Sequence, residues 1–305
     1  MFSNDVKKWY DKGKFIHCDE NKIFFHQDGE GDDVLIIHGY PFSSYQWKDF
    51  IDELSKYYKV TILDLPGFGF SDKPKKFDYC IEEFSLIINS VLAELNIKKT
   101  HLLCHDFGVN IGQELLSLNN QRKNVFKIDS VIFTNGPLFY QPHNSPGILK
   151  LGYYAPHFIN RFVSFFTNKR KILSLQKLRY GPFTKPSDRF LEEQWETLKF
   201  RDGLSIIHKL DKLSYHKRKN NDEWIKAMNN NTIPLCYICG PFDRYSGRKM
   251  ADEYLFYIKN PKVFLLDKYV GHYPHLENKE SLIENILQFL SVQNNINEKA
   301  ILQYQ

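Results

Sequence analysis

Three side chains suited to nucleophilic and acid–base chemistry follow predicted strands in the order Asp106, Asp243 and His272. Asp106 is the central residue of CHDFG, residues 104–108, where a small residue lies two positions away on each side. Small residues suit a tight strand-to-helix turn, because we expect such a turn to bring the backbones of positions 104 and 108 close together. The turn exposes the central side chain, and the following helix N-terminus favours an ionised carboxylate there.

The order of the three residues carries more weight than Asp106 alone. An aspartate before a helix is commonly an N-cap. A nucleophile, then an acid, then a histidine is a chain order known for catalytic triads, and each residue here lies after a predicted strand or in a loop. The sequence therefore predicts that Asp106, Asp243 and His272 meet at one edge of a sheet.

Strands and helices alternate along the chain, which predicts an α/β fold with a mostly parallel sheet and helices on both faces. Ligands of such sheets bind beyond the carboxyl ends of the strands, where the three residues are expected. A helix is indicated from Ile81 to Leu95 by apolar residues three and four apart, and a closing helix from Leu282 to Leu290. The predicted strands are Lys14 to Ile16, Lys22 to His26, Val34 to His38, Lys59 to Asp64, His101 to Cys104, Ser130 to Thr134, Pro234 to Cys239 and Lys262 to Leu266.

Residues 138–230 interrupt this alternation. They are rich in aromatic residues and show helical spacing in FLEEQWETLKF, with no convincing strand. They contain 17 Lys plus Arg against 8 Asp plus Glu, a charge of +9, so the rest of the chain carries −4 of the total of +5. We expect a core formed by residues 1–137 and 231–305, with residues 138–230 inserted as a helical cap.

Composition excludes several classes of protein. The chain of 305 residues is 42% hydrophobic and 25% charged, which is typical of a globular protein. It shows no signal peptide, no apolar run long enough to span a membrane and no basic helix suited to nucleic acid, so we expect a cytoplasmic protein without a nucleic-acid partner. The five scattered cysteines are expected to be reduced thiols, and neither a metal nor a cofactor is predicted.

Several segments together resemble the α/β-hydrolase superfamily, in the branch of epoxide hydrolases and haloalkane dehalogenases. The resemblance runs from about Lys14 to Leu290 and extends into the inserted residues. The segments are HGYPFSSYQW, DLPGFGFSDKP, LLCHDFG, GPFD and GHYPHLE, all in the core. YGPFTKPSD, in the insert, resembles one family within that branch, whereas superfamily members in general share little there.

The resemblance implies a hydrolase that needs only its substrate and water. Asp106 would attack carbon and form an ester, His272 would activate the water that hydrolyses it, and Asp243 would orient His272. Backbone N–H groups of Tyr40 and Phe107 would form the oxyanion hole, and the Tyr40–Pro41 peptide bond would be cis. The expected substrate is a small apolar electrophile.

Epoxide opening is favoured over dehalogenation by the residues around Asp106. Epoxide hydrolases of this branch donate hydrogen bonds from cap tyrosines, and Tyr215 with Tyr153 or Tyr154 are the candidate donors here. A halide site needs N–H donors, which the side chains of Phe107 and Tyr40 lack, so dehalogenation would need Trp195 and remains the alternative. The insert also contains Tyr140 and Tyr180.

Two further possibilities stay open. Basic runs at residues 168–171 and 216–219 are most simply solvated helix faces, but they would also suit peripheral contact with an anionic membrane. A non-catalytic ligand-binding protein that retained the scaffold is the alternative from outside the enzymes, although a complete triad has no obvious use there.

Overall fold

Eight strands form one sheet in the order β1-β2-β4-β3-β5-β6-β7-β8. The computed structural model describes residues 2–140, 169–205, 213–230 and 232–294. β1 and β2 are antiparallel to their neighbours, and the other strands are parallel, so the predicted α/β fold is confirmed. The strands are β1 (Lys14–Cys18), β2 (Asn21–Asp28), β3 (Asp33–Ile37), β4 (Lys59–Leu63), β5 (Lys99–His105), β6 (Lys127–Thr134), β7 (Leu235–Cys239) and β8 (Val263–Leu265).

The parallel register brings the carboxyl ends of the central strands to one edge. Cys104 of β5 pairs with Ile37 of β3, and Thr134 of β6 pairs with Ile238 of β7. The residues that follow these strands therefore converge, as expected for a parallel sheet. This edge holds the candidate site.

Helices cover both faces of the sheet, because alternate side chains of each buried strand point to opposite faces. On β5, Leu102 and Cys104 pack into one apolar core cluster, while Leu103 packs into the other. α1, α2 and α10 contribute to the cluster around Leu103, and α3, α4, α7 and α8 to the opposite one. The helices are α1 (Asn4–Lys12), α2 (Lys48–Leu54), α3 (Ile81–Glu94), α4 (Gly108–Asn120), α5 (Lys169–Arg179), α6 (Asp188–Lys199), α7 (Leu213–Asn229), α8 (Arg248–Tyr257), α9 (Pro274–Glu277) and α10 (Lys279–Asn294).

The described part of the insert contains α5, α6 and α7 and no strand. α7 packs against α4 of the core: Trp224 is 1% exposed, and its Nε1 donates a 2.7 Å hydrogen bond to Glu114 Oε2. This contact places α7 against the core. The boundaries expected between core and insert, at residues 137 and 231, stay a prediction. Over the residues that are described, every helix is too short or too polar to cross a membrane.

Candidate active site

Asp106 lies at the sharp turn between β5 and α4, with a φ of 51°. This left-handed conformation is unusual for a residue other than glycine and is typical of a strained turn that exposes its side chain. The space beside the turn is limited by β3, because a Cβ at Gly108 would lie 2.2 Å from the Ile37 carbonyl oxygen. The small residue at 108 therefore makes room for β3 rather than for position 104, the neighbour that the sequence suggests.

The two carboxylate oxygens of Asp106 have different surroundings. Oδ2 accepts a 2.9 Å hydrogen bond from the backbone N–H of Tyr40, one of the two predicted oxyanion-hole donors. Oδ1 lies 3.1 Å from Nη2 of Arg179 and 3.3 Å from Nε2 of His272. The N–H of Phe107, the other predicted donor, lies at the start of α4, where amides lack intrahelical partners. The Tyr40–Pro41 bond is cis, as the family resemblance implies.

His272 and Asp243 form a buried pair, with Nδ1 of His272 2.7 Å from Oδ2 of Asp243. A carboxylate only accepts, so Nδ1 carries the hydrogen and the lone pair of the neutral ring is on Nε2, facing Asp106. Asp243 also accepts hydrogen bonds from Ser246 Oγ at 2.5 Å and Asn135 Nδ2 at 3.2 Å. The structure thus brings together all three residues predicted to form the triad.

Charge around the triad favours two ionised carboxylates. Burial raises the pKa of Asp106, but Arg179 and His272 outweigh it and hold that pKa well below its ordinary value. Burial likewise opposes ionisation of Asp243, but His272 and Arg179 hold its pKa well below the ordinary value. Burial and Arg179 lower the pKa of His272, yet Asp243 and Asp106 outweigh them, so its pKa lies above the ordinary value.

Arg179, at the end of α5, is a member of the site that the sequence analysis missed. Besides contacting Asp106, it donates a 3.5 Å hydrogen bond from Nη1 to Tyr273 Oη, and its carbonyl accepts a 2.9 Å bond from the His272 N–H. The insert contains 17 Lys and Arg residues, so composition gave no reason to single out this one. Its position directly before YGPFT was the only available signal.

Glu277 connects the insert to the loop that carries His272, and this role was also missed. Its Oε2 accepts hydrogen bonds from Gly181 N at 2.7 Å, Thr184 Oγ1 at 2.6 Å and Gly271 N at 2.9 Å. Its Oε1 accepts one from Tyr273 N at 2.9 Å. YGPFTKPSD and GHYPHLE, two of the segments that carry the family resemblance, therefore meet at the Glu277 carboxylate.

A second connection joins the turn of Asp106 to the same loop. His105 Nε2 lies 2.8 Å from the carbonyl oxygen of His272, so Nε2 carries the hydrogen. Burial lowers the pKa of His105 to about 3, which keeps its ring neutral. This neutral ring fixes the backbone of the proposed base against the end of β5.

The predicted cap tyrosines are only partly covered by the structure. Tyr153 and Tyr154 lie outside the described residues, and Tyr215 is on α7 at a position where no side chain is described. Tyr180 is buried, and its ring lies 4.7 Å from the ring of Tyr273, beside His272. The only described contacts of Tyr140 are with α7, through Asn221 and Arg218. Among the residues that the structure describes, no three His, Cys, Asp or Glu side chains are grouped as metal ligands would be.

Comparison with known proteins shows the family and the fold of the chain. A profile of the family described as alpha/beta hydrolase fold matches residues 33–279. The human mesoderm-specific transcript homolog protein is 30% identical over 303 residues, covering 95% of this chain and 89% of that protein. The epoxide hydrolase CorEH superposes with a TM-score of 0.75 at 16% identity, covering 92% of this chain and 98% of that one. The haloalkane dehalogenase DatA from Agrobacterium tumefaciens superposes with a TM-score of 0.76 at 15% identity, covering 92% of this chain and 97% of that one. The chain therefore belongs to the α/β-hydrolase fold family.

Proposed function

We propose that the protein is a hydrolase in which Asp106 is the nucleophile and a covalent ester is the intermediate. The observation that carries this proposal is the asymmetry of the Asp106 carboxylate, whose Oδ2 is held by the Tyr40 amide while Oδ1 faces His272. Oδ1 is the attacking atom: its bond to carbon forms as the bond from carbon to the leaving atom breaks, and the leaving atom takes the electron pair. Oδ2 becomes the ester carbonyl oxygen.

Water then hydrolyses the ester. Nε2 of His272 takes a proton from a water molecule, whose oxygen attacks the carbonyl carbon of the ester. The negative charge that develops on Oδ2 is stabilised by the Tyr40 amide and by the predicted donor Phe107. The bond from the carbonyl carbon to Oδ1 breaks with its electron pair on Oδ1, which takes the proton back from Nε2 of His272. Product therefore leaves as an alcohol that contains Oδ1. Asp106 keeps the oxygen of water and is restored as a carboxylate when the second proton of that water passes to solvent. Asp243 holds the His272 ring and stabilises the imidazolium.

An epoxide is the electrophile that the site supports best. Its ring oxygen needs a proton as it leaves, and a neutral phenol can supply one. Tyr273 and Tyr180 lie beside His272, and burial raises the pKa of both, which keeps the phenols neutral. They join Tyr215, Tyr153 and Tyr154 as candidate donors. Haloalkane dehalogenation is the second candidate, favoured by the N–H groups that Arg179 brings to Oδ1.

Isotope labelling tests the nucleophile directly. In a single turnover in ¹⁸O-labelled water with epoxides, chloroalkanes and esters, Asp106 should acquire the label and product should stay unlabelled. His272→Gln should accumulate the ester, seen as an increased mass of the peptide that contains Asp106. Label in product alone would show that water attacks the substrate directly. If no substrate reacts and Asp106→Ala binds ligands as well as the parent, the ligand-binding alternative is correct.

We also propose the helical insert as a cap over this site. Its described part supplies Arg179, which contacts Asp106, and Tyr180, which packs against Tyr273. Because α7 packs on α4, we place the end of the cap before Leu213 rather than at residue 230. Deleting α7 should therefore prevent folding of the core.

Peripheral membrane contact remains a prediction, as does the cytoplasmic location of the protein. In the two basic runs Arg170, Lys171, Arg218 and Lys219 are exposed, whereas Lys169 pairs with Glu192. Reversing the charge of the four exposed residues should abolish co-sedimentation with anionic liposomes. Co-sedimentation that is insensitive to this change or to salt would contradict the membrane contact.

A further inference from the structure

Arg179 places a permanent positive charge beside the proposed attacking atom, and the mechanism above does not use that charge. Its Nη2 lies 3.1 Å from Asp106 Oδ1, which is the one carboxylate within ion-pair distance among the described residues. Nε of Arg179 is buried and has no described hydrogen-bond partner. The rings of Tyr245 and Tyr273 flank the guanidinium at 5.6 and 5.8 Å from its central carbon.

The guanidinium is also fixed in position. The carbonyl of Arg179 accepts a hydrogen bond from the His272 N–H, and Glu277 binds Gly181 two residues later. Asp243, the other carboxylate of the site, is already bonded to His272, Ser246 and Asn135. Within the described ranges, Arg179 therefore has no second carboxylate at ion-pair distance when Asp106 reacts.

Ester formation removes the charge that Arg179 is paired with. Once Oδ1 is bonded to carbon, Asp106 is neutral, and the largely buried guanidinium keeps only the more distant charge of Asp243, with no described carboxylate left at ion-pair distance. Leaving such a charge unpaired is costly. A halide can diffuse away. An alkoxide becomes neutral when Tyr273 protonates it, and the phenolate that remains regains a proton from solvent because burial raises the pKa of Tyr273. Neither leaving group therefore compensates Arg179 while the ester is being hydrolysed.

We propose that the substrate supplies this charge: it carries a carboxylate that binds Arg179 beside the carbon attacked by Asp106. This inference rests on the proposed function and specifies its substrate class as a small electrophile with an apolar body and one anionic end. The free N–H of Nε adjoins Nη2, and this planar edge matches the two oxygens of a carboxylate. Binding would also release Oδ1 from the guanidinium, so that its lone pair can attack.

The carboxylate would stay bound through both steps because it is not the leaving group. In an epoxide acid the bond from Oδ1 to carbon forms and the ring C–O bond breaks. The ring oxygen takes the electron pair and then a proton from a neutral phenol such as Tyr273. With the carboxylate beside it, Arg179 is neutralised in the ester intermediate, and His272 can accept a proton from water without facing an uncompensated cation.

Ligand binding tests the anion site without any chemistry. In Asp106→Asn, where no charge competes for Arg179, propionate should bind at least about 10-fold more tightly than propionamide by isothermal titration calorimetry. Adding Arg179→Gln should remove this preference, whereas adding Arg170→Gln, on the same helix, should preserve it. If the Gln variant does not fold, Arg179→Lys, which lacks the planar fork, should weaken propionate binding instead. Equal binding of acid and amide to Asp106→Asn would overturn the proposal.

Matched electrophiles separate this inference from the proposed function. Glycidate should label Asp106 in ¹⁸O-labelled water with a kcat/KM roughly 100-fold above that of glycidamide, and Arg179→Gln should abolish most of this difference. Equal rates for the two substrates would overturn the carboxylate proposal and leave the Asp106 nucleophile standing. If neither substrate nor its chloro analogue labels Asp106, while selective propionate binding is retained, Asp106 is not the nucleophile and the anion site is supported.

Discussion

The carboxylate of Asp106 is asymmetric, and this asymmetry has a consequence for the proton chemistry of His272. Asp106 and Asp243 are both close to the imidazole, and together they hold its pKa above the ordinary value. A base must be neutral to accept a proton, so activity should be lost as the pH falls through this raised pKa. The acid limb of the free enzyme is therefore expected above pH ~6.5, the ordinary pKa of histidine.

Removing the Asp106 charge should lower the pKa of His272. In Asp106→Asn the imidazolium loses one of the two carboxylates that stabilise it. Arg179 still disfavours the charged ring, so the balance shifts towards neutral imidazole. The titration of His272, followed by NMR of its ring, should move to lower pH than in the parent. Asp252→Asn, an exposed change on α8, is the matched control and should leave the titration where it was. An unchanged pKa in Asp106→Asn would mean that the two side chains are not electrostatically coupled.

At the scale of elements, the described end of α5 and the loop before α9 are joined by Glu277. Two oxygens accept four hydrogen bonds there, three from backbone N–H groups and one from Thr184. These groups would otherwise be largely buried without partners, which is unfavourable. The position of Arg179 over Asp106 depends on this junction as much as on α5 itself.

Glu277→Gln should destabilise the protein and misplace the site. The amide nitrogen that replaces one oxygen donates rather than accepts, so at least one buried donor loses its partner and we expect a loss of about 2–4 kcal/mol. Urea denaturation measures this loss, and Glu280→Gln, exposed at the start of α10, is the control. Similar stability of the two variants would argue against a junction at Glu277.

At the scale of the whole molecule, one helix of the insert packs against the core that surrounds the sheet. α7 places Trp224 in the core cluster and bonds it to Glu114, whose pKa is raised by burial although the indole N–H opposes the shift. Stability attributed to the core therefore depends in part on the inserted residues.

Trp224→Phe should destabilise the protein in a pH-dependent way. It retains an aromatic ring but removes the N–H, so the pKa of Glu114 should rise further in the folded state. A carboxyl group with a raised folded pKa favours unfolding once it is ionised, so the deficit of the variant should grow between pH 5 and pH 8. We expect about 1–3 kcal/mol at pH 8 by urea denaturation. Leu86→Ala, a change at an exposed position on α3, should show no such pH dependence; a constant deficit in Trp224→Phe would contradict the role of Glu114.

Much of this architecture could be predicted because it depends on local patterns. Apolar runs bounded by turn residues located all eight strands, and the spacing around Asp106 located the turn after β5. Arg179 and Glu277 could not be predicted in the same way, because their partners lie far along the chain. Glu277 ends the segment GHYPHLE and Arg179 precedes YGPFTKPSD, but neither segment indicates which distant residue it contacts. Their roles follow from the meeting of two loops, and pairing of distant loops leaves no periodicity in a single sequence.

Because backbone N–H groups from distant segments all donate to the Glu277 carboxylate, we expect them to open and close together. The amide hydrogens of Gly181, Gly271 and Tyr273 all donate to it, so each can exchange with deuterium only after the same junction opens. Their exchange rates should be similar, and should rise together in Glu277→Gln. Independent rates would show that the contacts break separately. Since His272 lies between two of these amides, each opening event that exposes Gly181 should also loosen the proposed base, so that opening and catalytic competence alternate in time.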